Sequence, residues 1–181
     1  MVNKNSKREH LLLTASQILI DQGLQHLTLD AVATKSGVSK GGLLYHFPSK
    51  EALIEGMLHY SLEDFEQHLN EIYDKLPNTS GRWLCAYVEA SFDDHQTTPE
   101  IFIALMMAIA NYPELLTQLE QKYRSWAQQA IQDGVSPKTT ELVIAATNGI
   151  WIERIFWKST THDRLKASLL ALIEQSDGAN I

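Results

Sequence analysis

Apolar residues recur along this chain at the three-to-four-residue spacing of an α-helix, and no stretch alternates as a strand would. Leu12, Ala15, Ile18 and Leu19 form one such stripe, and Leu53, Met57, Leu58, Leu62, Phe65, Leu69, Ile72 and Leu76 form a longer one. Glycine and proline cut the pattern into lengths. Gly23 and Gly37 stand where helices should stop, and Pro113 and Pro137 stand where long ones should start, at a first turn where the missing amide costs nothing. The pattern predicts nine helices and no sheet. The first opens on the capping box Ser6-Lys-Arg-Glu9 and closes at Gly23. A short second helix is capped by Thr28, a third runs over 39–46 from Ser39, and a fourth starts at Ser49 and lasts about 25 residues, to Pro77. Five more are expected near 81–96, 99–111, 113–133, 137–157 and 162–176. The expected fold is all-α, with a three-helix unit in residues 1–60 and a larger helical body in 61–181.

The net charge of −7 argues against a nucleic-acid partner until it is divided along the chain. Residues 1–50 hold six basic and three acidic side chains, net +3, which leaves nine basic and nineteen acidic ones, net −10, for the rest. A basic head on an acidic body is expected when only one end meets phosphates. The single Cys85 excludes an internal disulfide and fits a reducing cytoplasm. No stretch approaches the roughly 20 apolar residues that span a bilayer, and no apolar run follows the basic N-terminus, so the expectation is a cytoplasmic protein with no membrane contact.

The segment from Leu27 to Lys50 carries the function. Two short helices meet at Gly37-Val38-Ser39, where Gly37 can take the left-handed turn, Val38 fills the angle and Ser39 starts the next helix. This lays the third helix across the second, so that its leading residues can enter a major groove. Lys40 is the best candidate base reader, Gly41 and Gly42 let the backbone come close to DNA, and Tyr45 and His46 can donate to phosphates. The amides at the helix starts near Thr28 and near Ser49-Lys50 are further phosphate sites.

The run Gly37-Val-Ser-Lys-Gly-Gly-Leu-Leu-Tyr-His-Phe-Pro-Ser-Lys-Glu-Ala-Leu53 resembles the signature of the TetR family of repressors through its recognition helix into helix four. Close resemblance covers about the first 60 residues; beyond them only the helical layout is similar. The resemblance implies an all-helical dimer whose N-terminal domain holds operator DNA and whose C-terminal domain binds a small ligand. One position departs from it. Where the family often has Tyr, this chain has Leu44 followed by Tyr45, so a thymine-methyl contact could replace a phosphate contact.

The C-terminal body offers weaker signals. Phe102 and Met106, Tyr123 and Trp126, and Asn148 and Trp151 each share a helix face and could line an apolar ligand cavity, although most large residues in such a body are simply core. Glu89 and Asp93, one turn apart, would select a cationic ligand if they faced it, and are otherwise a solvated face. The run 137–157 is apolar nearly all round, and Leu165, Leu169, Leu172 and Ile173 stripe the last helix, which together fit a homodimer seam of two helices from each subunit. No phosphate loop, Cys pair, metal-ligand spacing or nucleophile–base arrangement appears, so neither an enzyme nor a cofactor or metal site is expected. The expected function is a ligand-released repressor; the alternatives are an architectural DNA binder without effector, and a helical enzyme or carrier that uses the first helices as scaffold.

Overall fold

The computed structural model describes residues 4–93, 99–157 and 163–177. Among them lie nine helices and no strand: α1 Lys4–Gln22, α2 Leu29–Ser36, α3 Lys40–His46, α4 Lys50–Tyr73, α5 Arg82–Phe92, α6 Pro99–Ile109, α7 Pro113–Gln132, α8 Pro137–Trp157 and α9 Asp163–Asp177. The local signals explain most of these bounds. Thr28 is extended (φ −125°, ψ 154°) and its hydroxyl accepts from the Ala31 amide at 3.1 Å, which starts α2. The Ser49 hydroxyl accepts from the Ala52 amide at 3.0 Å and starts α4. Proline opens α6, α7 and α8.

Two expectations are corrected. Ser6 is not the cap of α1, because the helix already runs at Lys4 and a capping residue must sit outside helical backbone. The helix expected over 81–96 ends at Phe92, where Asp93 turns extended (φ −77°, ψ 146°) and its amide still donates to the Glu89 carbonyl.

The chain divides into two compact units, Met1–Asp64 with Glu100–Thr117, and Phe65–Pro99 with Gln118–Ile181. In the first, Leu11, Leu12, Ala15 and Ile18 of α1 are buried together with Val32, Leu43, Phe47, Leu53 and Met57. Burying each of these large side chains contributes about 1.5–3 kcal/mol. A Cβ at Gly56 would stand 2.6 Å from a ring carbon of Phe47, so α4 can approach the end of α3 only through a glycine. In the second unit, α5 packs on α8 and α9, and Leu84, Tyr87, Val88, Val143, Ile150 and Ile173 are buried.

Candidate nucleic-acid interface

The angle between α2 and α3 is set by residues 36–39. Gly37 adopts φ 69°, where a side chain would strain the backbone, and its amide donates to the Thr34 carbonyl. Ser36 Oγ accepts from the Val38 amide at 3.4 Å, and Ser39 Oγ accepts from the Gly42 amide at 3.2 Å, which starts α3. The His10 ring bonds the Ser36 carbonyl at 3.1 Å, so α1 supports the turn from behind.

Seated this way, α3 has one buried and one outward face. Leu43 is fully buried and Phe47 nearly so, while Lys40, Gly41, Leu44 and Tyr45 face solvent, with Tyr45 70% exposed. The Tyr45 ring meets the His46 ring edge-on at 5.2 Å. Ser39, Gly42, Tyr45 and His46 also line a concavity of about 570 Å³, completed by Gly37, Val38 and, on α1, Lys7. Lys7 was missed in the sequence reading; its place in the basic head was the available signal.

Several expected residues sit differently from free phosphate ligands. The Lys40 ammonium is paired with Asp30 of α2 at 2.8 Å, both groups well exposed. The Lys50 ammonium is turned inward and donates to the Leu24 carbonyl at 2.9 Å. Thr28 and Ser39 spend their hydroxyls on capping, but both remain exposed at the same surface. The glycine pair also divides. A Cβ at Gly41 would meet nothing within 4 Å, whereas at Gly42 it would stand 3.1 Å from Val38 Cγ1 and 3.2 Å from Ser39 Oγ. A side chain at Gly42 would therefore crowd the turn itself, whereas Gly41 stands in open space and is the one left to be explained by an outside partner.

In the second unit the aromatic residues converge on Tyr87. Its ring stacks on Trp83 at 5.7 Å and meets Phe65 at 5.5 Å and Trp126 at 5.8 Å, while its hydroxyl donates to Asn148 Oδ1 at 2.9 Å. Trp126 packs on Tyr123 at 5.1 Å, and its indole N–H donates to Glu66 Oε1 at 2.7 Å. The same carboxylate oxygen accepts from Lys122 at 2.6 Å. Burial pushes the Tyr123 phenol up to about 12, a rise partly offset by its hydrogen bond with Tyr87, and burial raises Tyr87 well above its usual range. Three of the expected ligand residues, Tyr123, Trp126 and Asn148, thus belong to one cluster, and Phe65, Glu66, Trp83 and Tyr87 join it. Phe102 and Met106 are half-buried in the other unit. The Trp151 side chain lies outside the described ones. Glu89 does not offer a free carboxylate, because Lys166 holds it at 2.5 Å, and Asp93 is paired with His68 at 3.3 Å.

A short exposed helix, seated on a second one by a left-handed glycine and backed by a third, defines a helix-turn-helix DNA-binding protein. The chain belongs to the tetR family of bacterial regulatory proteins: residues 11–57 match that family, and residues 81–176 match the tetracyclin repressor-like C-terminal domain. The nucleoid occlusion factor SlmA of Photobacterium profundum is 34% identical over 80 residues, 44% of this chain and 41% of that protein. The match therefore spans about two-fifths of that relative's length. Among solved structures, a transcriptional regulator of Pseudomonas aeruginosa PAO1 has the same fold, with a TM-score of 0.81 at 17% identity over 99% of this chain and 94% of that one. A regulator of Saccharomonospora viridis in complex with choline superposes with a TM-score of 0.72 at 18% identity, over 94% of this chain and 97% of that one.

Proposed function

We propose that this protein is a dimeric repressor that leaves its operator when a small apolar or cationic ligand binds its C-terminal domain. Residues 1–60 are the DNA-binding domain and residues 61–181 the ligand-binding and dimerisation domain. The observation that carries the reading is the outward face of α3: Lys40, Gly41, Leu44 and Tyr45 are exposed on a helix whose other face is core. No helix among the described residues is long and apolar enough to cross a membrane, and a repressor acting on operator DNA would work in the cytoplasm.

Dimerisation is assigned to α8 and α9. Leu142 of α8 is 55% exposed and Leu165 of α9 is 36% exposed, and Ala145 and Gly149 give α8 a low profile for a close helix partner. Two such helices from each subunit would close a four-helix seam. The ligand site is assigned to the rings around Tyr87. Choline, held by one fold neighbour, is a quaternary ammonium, and aromatic faces attract such cations. A cationic ligand would be held here by rings, because the carboxylates of Glu89 and Asp93 are already paired.

A second reading, a DNA-binding protein of this fold with no effector, is favoured by one observation: Tyr87 and Trp126 are 2% and 3% exposed, so the ring cluster is packed. The deciding experiment is recovery of genomic fragments with the purified protein, followed by operator titration of Lys40→Ala. Loss of about 1–3 kcal/mol in operator affinity, confined to one base pair of specificity, supports base reading by Lys40. Unchanged affinity across a range of salt rejects it.

A further inference from the structure

We propose that Asp30 is a specificity-determining residue, which holds Lys40 toward base edges and keeps it off the phosphates of unrelated DNA. The proposal rests on the DNA-reading role of α3 argued above. Lys40 opens α3 and Asp30 lies in the first turn of α2; the glycine turn between the helices brings them together, Nζ to Oδ1 at 2.8 Å.

The pair is not explained by stability. Both side chains are largely solvent-exposed, 63% and 71%, and an exposed pair of this kind adds little to a fold. Nor does it serve affinity, because a carboxylate on a surface that meets a polyanion repels it. What it provides is discrimination. An ammonium has three N–H donors, so Lys40 can keep one on Asp30 and direct the others to the oxygen and nitrogen acceptors of a guanine edge. Those acceptors carry only partial negative charge, so the carboxylate repels them far less than it repels an anion. A phosphate is an anion, and contacting it through Lys40 places it beside the carboxylate. The penalty therefore falls on phosphate contacts and largely spares base contacts. A second exposed acid–base pair in this unit, Asp21 with Lys35 at 3.4 Å, involves no residue of α3.

The test uses the whole protein, a duplex enriched by it from a random-sequence library, and a scrambled duplex of the same composition. Asp30→Asn removes the charge and keeps the shape. It should strengthen binding to the scrambled duplex roughly three- to fivefold, the effect of one unit charge a few ångströms away in water, and change binding to the enriched duplex by less than about twofold. On the scrambled duplex the slope of log affinity against log salt should steepen by about 0.9, one phosphate contact. In a Lys40→Met background the same substitution should change nothing. An equal gain on both duplexes, or a gain that survives Lys40→Met, overturns the proposal by showing plain charge repulsion. A lowered melting temperature with unchanged discrimination also overturns it, assigning Asp30 to the first turn of α2. Failure to enrich any duplex overturns the sequence-specific reading itself, and this proposal with it.

Discussion

The ammonium of Lys50 donates to the backbone carbonyl of Leu24 at 2.9 Å, tying the first residue of α4 to the loop between α1 and α2. The side chain is half-buried, so this bond is better shielded than a surface ion pair. In the sequence Lys50 looks like a phosphate ligand; in the fold it is first an anchor. We predict that Lys50→Ala destabilises the protein by about 1 kcal/mol, below the full range for a charged donor because the group is partly solvated. That corresponds to a fall of about 2–4 °C in melting temperature. An unchanged melting curve with weaker DNA binding would return Lys50 to a phosphate role alone.

The glycines of α3 should separate under the same substitution. Gly41→Ala adds a Cβ into open space and gains helix propensity, so it should stabilise the protein by about 0.5–1 kcal/mol. If the backbone there approaches DNA, the same methyl weakens operator binding. Gly42→Ala places its Cβ 3.1 Å from Val38 Cγ1, which offsets the propensity gain and leaves the melting temperature near that of the parent. Equal melting shifts for both variants would show that the crowding at Gly42 relaxes freely.

The helix-turn-helix was legible because its signals are local. Thr28, Gly37, Ser39 and Ser49 each act within four residues of chain, so type and spacing fix the geometry. The site's electrostatics were not, because they depend on pairs distant in sequence: Asp30 with Lys40, Leu24 with Lys50, Lys7 beside α3. The ring cluster shows the same limit. Tyr123 and Trp126 share a face by spacing, but no periodicity says that Glu66, sixty positions from Trp126, will accept its indole N–H.

That burial changes how the ligand reading should be tested. Trp126 is 3% exposed, and Trp126→Ala would cost about 3–5 kcal/mol, a large part of the 5–15 kcal/mol that holds a typical domain. Trp126→Phe keeps a six-membered ring in the cluster and removes the pyrrole ring with its donor to Glu66, whose partner Lys122 remains. We expect a loss of about 1–2 kcal/mol in stability, little change in operator affinity, and a blunted release by effector. Release identical to that of the parent would place the ligand elsewhere.

Alkaline pH provides a readout of the same cluster. An unfolded tyrosine ionises near 10, whereas burial holds Tyr123 protonated to about 12 and raises Tyr87 well above its usual range. Below pH 10 both states are protonated and the stability is fully present. As pH rises from 10 toward 12 only the unfolded chain releases the proton, so stability falls, by about 1.4 kcal/mol per pH unit for each tyrosine. Denaturant titrations over this range should show Tyr123→Phe losing stability less steeply than the parent. Parallel losses would mean that Tyr123 is solvated in the folded protein.

The dimer seam is tested at Gly149. Nothing among the described residues lies within 4 Å of a Cβ built there, so a side chain at this position starts out in open space. Leucine also has the higher helix propensity, so Gly149→Leu should leave the helical signal and the melting of the protomer near normal. If α8 meets its copy in a partner subunit through Ala145 and Gly149, the added side chain holds the two helices apart. The half-sites of an operator, about 34–36 Å apart, could then no longer be held by one rigid pair. We therefore predict that Gly149→Leu shifts the sedimentation profile from dimer to monomer at micromolar concentration. Binding to a half-site should survive, because α3 is untouched, while the gain from joining two half-sites is lost. A variant that stays dimeric with parental operator affinity would show that the seam runs elsewhere than through this face of α8.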